Sequence, residues 1–480
     1  MIKVKPVILA AGKGTRFKSK KPKVIHKILG KPMLWYVIQA VKAVSPEEIV
    51  IVVGNQKEIV IEEVKKFCDN CTFAYQEEQL GTAHAVLSSL HHWKDFDGYL
   101  LIINGDTPLI TAETLKRATE YLEKLVDYSK KRKKQLHIDE DIAGIILTTS
   151  LEDPYGYGRL VKDKAGIIKK IVEEKDATFE EKKIKDINSG IYLVYAPYLA
   201  EALQEVSQNN AQGEFYLTDI VEILHRKSKF FYPFYVDEPQ QLQGVNDRWQ
   251  LAEAEEYIQE RILKSHALNG ITIHNPLTIR IEPDVEIEND VEIFSGCSIK
   301  GKTRIKEGAV IYENCVISDS TIEENVEIFP NTVIENSLIS KNSQVGPFAR
   351  LRNNTVIGEE VSIGNFVEIK SSKIGNRTAA KHLAYIGDAE VGDNVNIGAG
   401  TITCNYDGVN KHKTVIKDNA FIGSDTMLVA PITVGKNAYT GSGSVITKDI
   451  PDDALAVERA PLKIIPDYAK RKKRKKDENC

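Results

Sequence analysis

The second half of the chain carries an aliphatic residue at every sixth position, and this spacing limits its fold more than any other feature. Three runs share it: Ile287, Ile293, Ile299, Ile305, Ile311 and Ile317; Ile357, Ile363 and Ile369; and Ile416, Ile422, Leu428, Val434, Thr440 and Ile446. A period of six fits neither an amphipathic helix nor one long alternating strand. It is typical of a parallel β-helix, a coil of short strands with one aliphatic side chain per strand pointing inward. A β-sandwich with accidental spacing is the less favoured alternative, because it would have to produce three such runs.

A coil of this kind is a rod, because each turn buries its aliphatic residues only against the turns beside it. Its flat faces stay exposed, and pairing such faces is a common way to build an oligomer. At 480 residues the chain is too long for one ordinary domain. Its hydrophobic share of 42% is ample for true cores, but no apolar run is long enough to cross a membrane. The net charge of −4 argues against bulk attraction to nucleic acid.

The cysteine pattern favours a reducing compartment. The six cysteines are Cys68, Cys71, Cys297, Cys315, Cys404 and Cys480. Such scattered positions do not resemble a disulfide framework, and no signal segment opens the chain, so the sequence predicts a cytoplasmic protein. Cys68 and Cys71 have a C-x-x-C spacing, but without a second pair a zinc or redox role is not favoured.

The last residues are strongly basic. Residues 470–476 (KRKKRKK) are all lysine or arginine. The run predicts a disordered, solvated end, and contact with an anion or a membrane surface is the alternative.

Short apolar runs alternate with helical patterns in the first half. Strands are predicted at residues 7–11, 49–53, 99–103, 142–148 and 191–195, and helices at residues 32–43 and 111–125. This alternation predicts an α/β domain whose mostly parallel sheet carries helices on both faces. Ligands of such sheets bind at the carboxyl ends of the strands, where Gly12, Asp106 and Asn188 fall.

A connecting helix is predicted at residues 247–267, with Asn246 or Asp247 placed to cap it. We therefore divide the chain into a first domain at residues 1–230, a linker with the long helix at residues 231–270, and the coil with its basic tail at residues 271–480.

A glycine-rich, cationic loop follows the first predicted strand. Gly12 and Gly14 allow backbone N–H groups to face an anion, and Lys13, Arg16 and Lys23 add positive charge around them. The spacing is neither that of a Walker loop nor G-x-G-x-x-G. The loop is therefore interpreted as a phosphate cradle of another type, with a plain strand-to-helix turn as the alternative.

The string LAAGKGTRF at residues 9–17, followed by PKV at residues 22–24, resembles the sugar-nucleotide pyrophosphorylases, which join a nucleoside triphosphate to a sugar 1-phosphate. The resemblance implies a Rossmann-like nucleotidyltransferase domain in which Arg16 and Lys23 hold the phosphates. It also implies that Asp106 and Asn246 hold Mg²⁺, where helix capping would be the plain role of either residue. The nucleotide and sugar contacts that it implies are Leu9, Ala10, Ala11, Gly12, Lys23, Gln76, Gly81, Thr82, Asn104, Gly105, Asp106, Gly158, Glu173, Asn188 and Asn246.

The coil carries a second group of motifs: GPFARLR at residues 346–352, GNFVEIK at residues 364–370, His382, Tyr385, and NVNIGAGTITCNYDG at residues 394–408. With these, nearly the whole chain resembles the bacterial bifunctional N-acetylglucosamine-1-phosphate uridylyltransferase and glucosamine-1-phosphate acetyltransferase family. The resemblance thins only at residues 127–141 and in the basic tail. It implies a left-handed coil, a bacterial cytoplasmic homotrimer with acetyl-transfer sites between coils, and UTP and acetyl-CoA as co-substrates.

Acetyl transfer to an amine needs a base, and the resemblance gives that role to His382, for which a hydrogen-bonded surface histidine is the alternative. Arg352 and Lys370 would bind the sugar phosphate, with Tyr385 and Asn396 as positioners. The break in the ladder between residues 403 and 414 predicts an expelled, functional loop. The contacts that the family implies for acetyl-CoA are Ala399, Asn405, Tyr406, Lys411, Ser424, Ser442 and Arg459.

Three positions depart from the family pattern. Lys381 and Ala384 flank the predicted base, and Ser442 replaces a commonly small apolar residue near the coenzyme. A cation at Lys381 would favour a neutral imidazole beside it by like-charge repulsion, or would point outward.

Three functions compete. The first is the bifunctional enzyme of UDP-N-acetylglucosamine synthesis. The second is a single-activity nucleotidyltransferase whose β-helix serves only oligomerisation, against which His382, Arg352 and Asn405 count. The third is a non-catalytic scaffold, against which the intact LAAGKGTRF string and Asp106 count.

Overall fold

The computed structural model describes residues 2–136 and 141–477. It contains two compact units, one ending at Ile258 and the other beginning at Gln259. The first unit buries an apolar cluster on each side of its sheet, and the second buries one continuous cluster along its coil. Among the described residues, no helix is long and apolar enough to span a membrane.

The first unit is built on one ten-stranded sheet, with the order β10-β8-β9-β12-β7-β11-β6-β1-β4-β5. The strands are β1 (Val4–Ala10), β2 (Lys27–Ile28), β3 (Lys31–Pro32), β4 (Ile49–Val53), β5 (Cys71–Tyr75), β6 (Tyr99–Asn104), β7 (Asp141–Thr148), β8 (Gly158–Lys162), β9 (Ile168–Val172), β10 (Ile187–Asn188), β11 (Tyr192–Tyr195) and β12 (Lys229–Tyr235). Strands β2 and β3 pair with each other, apart from the sheet.

The strand directions are mixed, which corrects the expected mostly parallel sheet. Strand β1 runs parallel to β4 and β6, β4 runs parallel to β5, and β7 runs parallel to β12. The other neighbours pair antiparallel. A short apolar run does not record its direction, so the sequence pattern could not separate the two arrangements. The parallel block β6-β1-β4-β5 still places the carboxyl ends of β1 and β6 side by side, just before Gly12 and Asp106.

Helices cover both faces of this sheet. They are α1 (Met33–Val41), α2 (Lys57–Lys65), α3 (Thr82–Ser88), α4 (Ala112–Leu136), α5 (Ala196–Leu203) and α6 (Asp219–Arg226). A later helix, α7 (Arg248–Leu268), buries its Leu263 in the apolar cluster of the coil. Short 3-10 turns lie at Thr15–Phe17, Lys23–Ile25, Lys42–Val44, Leu90–His92, Glu181–Lys183, Pro239–Leu242 and, in the second unit, Pro276–Thr278. Helix α4 runs past its predicted end at residue 125, because the lysines and arginines that follow are good helix formers. Asp247, not Asn246, caps α7, accepting from the Trp249 and Gln250 N–H groups at 2.9 Å.

The second unit is a parallel β-helix of three faces, as the six-residue spacing predicts. The first face contains Thr272–Ile273, Glu292–Ile293, Val310–Ile311, Glu327–Ile328, Gln344–Val345, Ser362–Asn365, Ala379–His382, Asn396–Ile397, Phe421–Ile422, Tyr439–Thr440 and Leu455–Ala456. The second contains Arg280–Ile281, Ser298–Lys300, Val316–Ser318, Val333–Glu335, Arg350–Arg352, Glu368–Lys370, Tyr385–Gly387, Ile402–Cys404, Met427–Val429 and Val445–Ile446. The third contains Glu286–Ile287, Arg304–Ile305, Thr321–Ile322, Ser337–Ile339, Thr355–Ile357, Lys373–Ile374, Ala389–Val391, Thr414–Ile416 and Ile432–Val434.

The gaps in the aliphatic ladder come from short corners between the second and third faces. Ile317 and Ile322 are consecutive inward residues, yet they are separated by one position fewer than the ladder predicts. The Ser320 hydroxyl closes this corner by donating to the Ser318 carbonyl at 2.7 Å. At a longer corner, Thr303 donates to Lys300 in the same way at 2.6 Å. The six-residue spacing is therefore interrupted at each short corner, although the coil continues.

Two predictions about the chain ends and the cysteines need correction. Cys68 and Cys71 form a disulfide between the end of α2 and the start of β5, where the sequence pattern predicted none. Two cysteines in a C-x-x-C segment are near enough in sequence to form a disulfide with each other. The prediction considered only disulfides between distant cysteines and therefore missed this one. The tail forms a helix, α8 (Tyr468–Asp477), where disorder was predicted, because lysine and arginine have high helix propensity.

Candidate active sites

The loop after β1 leaves its backbone open to a ligand. A Cβ added at Gly12 would meet nothing within 4 Å. Gly14 has a left-handed backbone (φ 57°) and packs against Lys23, so a Cβ there would lie 2.7 Å from the Lys23 Cβ atom. The chain then enters the turn at Thr15–Phe17, which buries Phe17. The loop is thus held at one end while its N–H groups stay available to an anion.

Four polar side chains converge beside this loop. The Lys23 ammonium pairs with the Asp106 carboxylate and lies 3.4 Å from the Oδ1 atom of Asn246. Arg16 donates to the same Asn246 oxygen at 3.1 Å. The Val245 N–H donates a 2.8 Å hydrogen bond to the Asp106 backbone carbonyl. This bond holds the segments that carry Asn246 and Asp106 together. The fold therefore gathers cations and oxygen ligands from four separate parts of the sequence.

Two oxygens of this cluster face the same point. The Asp106 carboxylate and the Asn246 amide oxygen both contact the Lys23 ammonium, so a cation already lies where both point. Mg²⁺ takes one or two carboxylates or carbonyls from a protein and completes its shell with phosphate oxygens and water. The two side chains fit that requirement. Within residues 2–136 and 141–477, no cluster of three or more His, Cys, Asp or Glu side chains offers a fuller metal cage.

The segment that carries the predicted contacts Gln76, Gly81 and Thr82 folds back on itself. Gln76 is buried, and its amide donates to the Gly81 carbonyl at 3.2 Å. Gly81 has a φ of 123°, and a Cβ there would lie 2.4 Å from the Phe215 carbonyl oxygen, so only glycine fits. The Thr82 hydroxyl accepts from the Leu217 N–H at 3.0 Å. Gln76, Gly81 and Thr82 are thereby fixed as one surface.

Three of the predicted sugar contacts lie together. A Cβ added at Gly158 would be 3.3 Å from the Asn188 Cβ atom and 3.4 Å from the Glu173 Oε1 atom. Tyr192 donates to the Asn188 Oδ1 atom at 3.0 Å. Burial raises the pKa of Glu173, and the nearby Asp219 carboxylate acts in the same direction. Such a carboxyl group is suited to hydrogen bonding with a neutral, polar ligand.

Arg159 follows the predicted contact Gly158, but its side chain is engaged elsewhere. The side chain is buried and pairs with Glu174 at 2.7 Å, and it also donates to the Tyr157 carbonyl. Glu174 accepts from the Gly156 N–H at 3.3 Å as well. Arg159 therefore holds the loop before β8 in place and does not face a ligand.

A cavity of about 240 Å³ joins the nucleotide elements. The predicted residues that line it are Leu9, Ala10, Ala11, Gly12, Lys23, Gln76, Gly81, Thr82, Asn104 and Asp106. Gly105 lies just behind, donating from its N–H to the Leu9 carbonyl at 2.8 Å. Gln79 and Glu214 also line the cavity and were not predicted.

A cationic cluster occupies the second face of the coil. Arg352 and Lys370 end strands on successive turns and lie in register. Arg352 pairs with Glu368 at 2.6 Å, and the buried Lys370 lies 3.9 Å from the Asp388 carboxylate. A hydrogen-bonding contact with Lys370, together with its charge, lowers the pKa of Lys411. A bound phosphate would relieve the repulsion between these two ammonium groups, so this geometry suits a phosphate ligand.

Tyr385 and Asn405 extend the same cluster. A Cβ added at Gly387 would lie 2.5 Å from the Tyr385 hydroxyl and 2.9 Å from the Asn405 Nδ2 atom. The Asn405 amide donates to the Asp388 carboxylate. Lys411, predicted as a coenzyme contact, therefore lies with the predicted sugar-phosphate residues.

The expelled loop between residues 405 and 413 is held by its own side chains. Asp407 accepts from the Asn410 N–H at 2.6 Å and pairs with His412 at 2.6 Å. The Asn410 N–H, with the His412 contact, holds the pKa of Asp407 well below its usual range. Tyr406 and Lys411 face each other across this loop, and Tyr406 is exposed.

Three further predicted coenzyme contacts form a column that includes His382. Asn365 pairs in register with His382 on the corner that follows the first face. Ala399 lies one turn further on, and its carbonyl accepts a 2.7 Å hydrogen bond from the Asp425 N–H on the next turn. The Ser424 carbonyl in turn accepts a 2.8 Å hydrogen bond from the Gly443 N–H. His382, Ala399, Ser424 and Ser442 thus occupy equivalent places on successive turns.

Asn396 and Arg459 lie apart from both groups. Asn396 begins the first-face strand Asn396–Ile397 and is exposed, and Arg459 is exposed beyond the strand Leu455–Ala456. Of the departures, Lys381 is exposed, while Ala384 is buried in the coil. Most of the other predicted acetyl-transfer residues are divided between a second-face cluster and a corner column.

Sequence reasoning missed three polar residues of the coil. Glu368 lies two positions before Lys370, so strand alternation could have placed both on the outer surface. Asp388 receives the Asn405 amide, which no spacing in the sequence indicates. Asn365 precedes His382 by 17 positions, one position fewer than three six-residue repeats, so the ladder does not identify the pair.

Comparison with known proteins agrees with the division of the chain into two units. Residues 6–216 match the MobA-like NTP transferase domain, residues 281–383 the GMPPB C-terminal domain, and residues 413–448 the bacterial transferase hexapeptide (six repeats). The hexapeptide match makes the coil a left-handed β-helix. Among the relatives, a bifunctional protein GlmU from Aquifex aeolicus is 50% identical over 98% of this chain and 100% of its own length. That from Brevibacillus brevis is 43% identical over 99% of both chains.

The similarity runs through both units and covers all of the Aquifex relative and 99% of the Brevibacillus relative. The glycine-rich loop of the first unit and the cationic cluster of the second are both within the matched region. The chain therefore belongs to the bifunctional GlmU family.

Proposed function

We propose that the chain makes UDP-N-acetylglucosamine in two steps. The coil transfers an acetyl group from acetyl-CoA to glucosamine 1-phosphate, and the first unit then joins the N-acetylglucosamine 1-phosphate to UTP with release of pyrophosphate. The observation that carries the bifunctional assignment is the register of Arg352 with Lys370 on the coil, together with Tyr385 and Asn405 beside them. A coil that served only assembly would gain nothing from holding two cations against each other.

Uridylyl transfer needs positioning more than acid–base chemistry. A phosphate oxygen of the sugar phosphate attacks the α-phosphorus of UTP, and the bond to pyrophosphate breaks. Because the attacking oxygen is already ionised, charge neutralisation and alignment supply most of the catalysis. Arg16 and Lys23 are placed to neutralise phosphate oxygens, and Gln76 and Gly81 to orient the base. Mg²⁺, held by Asp106 and Asn246, would neutralise charge on the triphosphate.

Acetyl transfer proceeds by attack of the glucosamine nitrogen on the thioester carbonyl. The carbon–sulfur bond breaks, His382 accepts the proton that the amine loses and returns it to the departing thiolate, and coenzyme A leaves as the thiol. Arg352, Lys370 and Lys411 are positioned for the sugar phosphate. The column of Ala399, Ser424 and Ser442 offers backbone groups to the coenzyme along the coil axis.

The division between the second-face cluster and the corner column supports a homotrimer. Residues that one coil keeps apart, such as Asn396, would complete a site when a second coil packs alongside. A bacterial cytoplasm remains the predicted location, and no nucleic acid partner is proposed.

One assay tests the function directly. Purified chain is incubated with glucosamine 1-phosphate, acetyl-CoA, UTP and Mg²⁺ while free thiol and pyrophosphate are followed separately. Both products are expected, with pyrophosphate requiring prior thiol release. Pyrophosphate that forms only from ready-made N-acetylglucosamine 1-phosphate, with no thiol, would leave the single-activity alternative.

A further inference from the structure

Asn365 contacts the imidazole of His382 directly. The two residues are paired in register on adjacent turns of the first face. The His382 Nδ1 atom lies 2.9 Å from the Asn365 Oδ1 atom. The backbone strengthens this arrangement, since the Leu383 N–H donates to the Asn365 carbonyl at 3.1 Å. One residue therefore holds both the ring and the backbone beside it.

This contact decides where the ring proton lies. An amide oxygen only accepts hydrogen bonds, so Nδ1 must carry the hydrogen. In the neutral imidazole the other nitrogen, Nε2, then has the free lone pair. A proton taken from a substrate amine can enter only at that atom.

We propose that Asn365 is a positioning residue for acetyl transfer, which fixes the His382 tautomer and aims Nε2 at the amine. The inference rests on the proposed role of His382 as the base. His382 is exposed, so without a partner its ring would rotate and sample both tautomers. The turns before and after contribute the uncharged Phe366 and Ala399, and the charged neighbour on its own strand is Lys381. An amide keeps the ring oriented without adding a charge that would retain the proton.

The first test compares Asn365→Ala with wild type in the full chain. The kcat of acetyl transfer should fall about 10- to 100-fold, the loss usual when the partner that orients a functional histidine is removed. The KM values for both substrates should change little, because a positioning residue acts through the His382 ring. Asn376→Ala is the matched control. It removes an amide that accepts a 2.8 Å hydrogen bond at another corner of the coil, far from this column in register.

The second test is Asn365→Asp, which keeps the acceptor but adds a negative charge. The carboxylate stabilises imidazolium, so the acidic limb of the acetyl-transfer rate should move to higher pH. A residue that only shaped the coil would lower activity without moving that limb. An unchanged pH profile in Asn365→Asp, together with near-normal kcat in Asn365→Ala, overturns the proposal.

A spectroscopic measurement is independent of rate. In ¹⁵N-histidine-labelled protein, the neutral His382 ring should show a protonated Nδ1 and an unprotonated Nε2, and Asn365→Ala should mix the two tautomers. A protonated Nε2 in the wild-type ring overturns the inference. If His382→Ala keeps acetyl transfer, the base assignment itself fails. If His382→Ala is inactive while the Asn365 variants behave as wild type, only the present inference fails.

Discussion

Lys23 is the residue on which the nucleotide site converges. Its ammonium contacts the Asp106 carboxylate and the Asn246 amide oxygen, so one flexible side chain occupies the place that suits a divalent cation. When triphosphate and Mg²⁺ arrive, Lys23 would turn from these oxygens to the phosphates. Such an exchange keeps the two oxygens paired in the free protein, which avoids leaving a partly buried carboxylate without a counter-charge.

The Asp106→Asn variant tests this arrangement. It keeps the side-chain shape but removes the charge, so pyrophosphate release should fall by at least about 100-fold, since a metal contributes several kcal/mol to such a transition state. Thiol release by the coil should stay near wild type. Asp237→Asn, at an exposed carboxylate of the same unit, is the control. Equal loss of both products, or of neither, would reject the metal assignment.

His382→Ala tests the base. Acetyl transfer should decrease by about 10²–10⁴-fold, the usual contribution of a general base. Uridylyl transfer from ready-made N-acetylglucosamine 1-phosphate should not change, and light scattering should report the same oligomer. Retained acetyl transfer in the folded variant would favour an amine that attacks already neutral from solution.

Asp219, at the start of α6, should make stability depend on pH. Burial raises the pKa of its carboxyl to about 6, with Glu222 and Asp176 adding to the effect. Because the unfolded chain ionises this group at lower pH, wild type loses stability as pH rises from about 4 to about 6. Asp219→Asn should therefore be more stable than wild type at pH 8, by at most about 3 kcal/mol, and equal to it near pH 3. Urea unfolding at both pH values measures this; a gain at pH 3 alone would contradict it.

At the scale of single elements, the loop between residues 405 and 413 depends on Asp407. Asp407→Ala removes the contacts to Asn410 and His412 that shape the loop. Lys411 should then be less well placed, so the KM for glucosamine 1-phosphate in acetyl transfer should rise about tenfold, equivalent to about 1.4 kcal/mol. Lys413→Ala, which removes an ion pair with Glu390 at the edge of the loop, is the control. Identical kinetics in the two variants would show that the Asp407 contacts do not position the site.

The elements also show how far sequence patterns can go. The six-residue spacing predicted the coil because each inward position, from Ile287 to Ile446, needs the same residue type. It could not predict the short corners, since a serine such as Ser320 closes a turn only when its neighbours already lie in register. Strand direction in the first unit was not predictable. A fully apolar run such as Ile49–Val53 has the same composition and burial whether its neighbours run parallel or antiparallel to it.

The residues of the candidate sites were likewise predictable only in part. The glycines and cations of the β1 loop could be found from the sequence because phosphate binding needs both in a short stretch. The contact between Lys23 and Asn246 joins residues more than two hundred positions apart, and no local pattern encodes it. Partners such as Glu368 and Asp388 are missed for the same reason: their role follows from the cation beside them.

At the scale of the whole molecule, we predict that the first unit works alone only if it is long enough. A fragment of residues 1–258 should keep uridylyl transfer and lose acetyl transfer. A fragment of residues 1–230 should be unfolded, because it cuts β12, loses the buried Val236, Leu242 and Val245, and lacks Asn246. Circular dichroism and pyrophosphate release distinguish the two. A folded, active fragment of residues 1–230 would show that the segment after β12 is dispensable.

The register of the coil has an evolutionary consequence. Ile293 and Ile311 are equivalent positions on neighbouring turns. Excising residues 294–311 would therefore join two compatible ends and leave every later side chain facing the same way. Gene duplication or loss of one such module changes the length of the rod without disturbing the chemistry downstream. Such an event before residue 350 would leave the later turns in register, whereas between Asn365 and Ser442 it would split the column of His382, Ala399, Ser424 and Ser442.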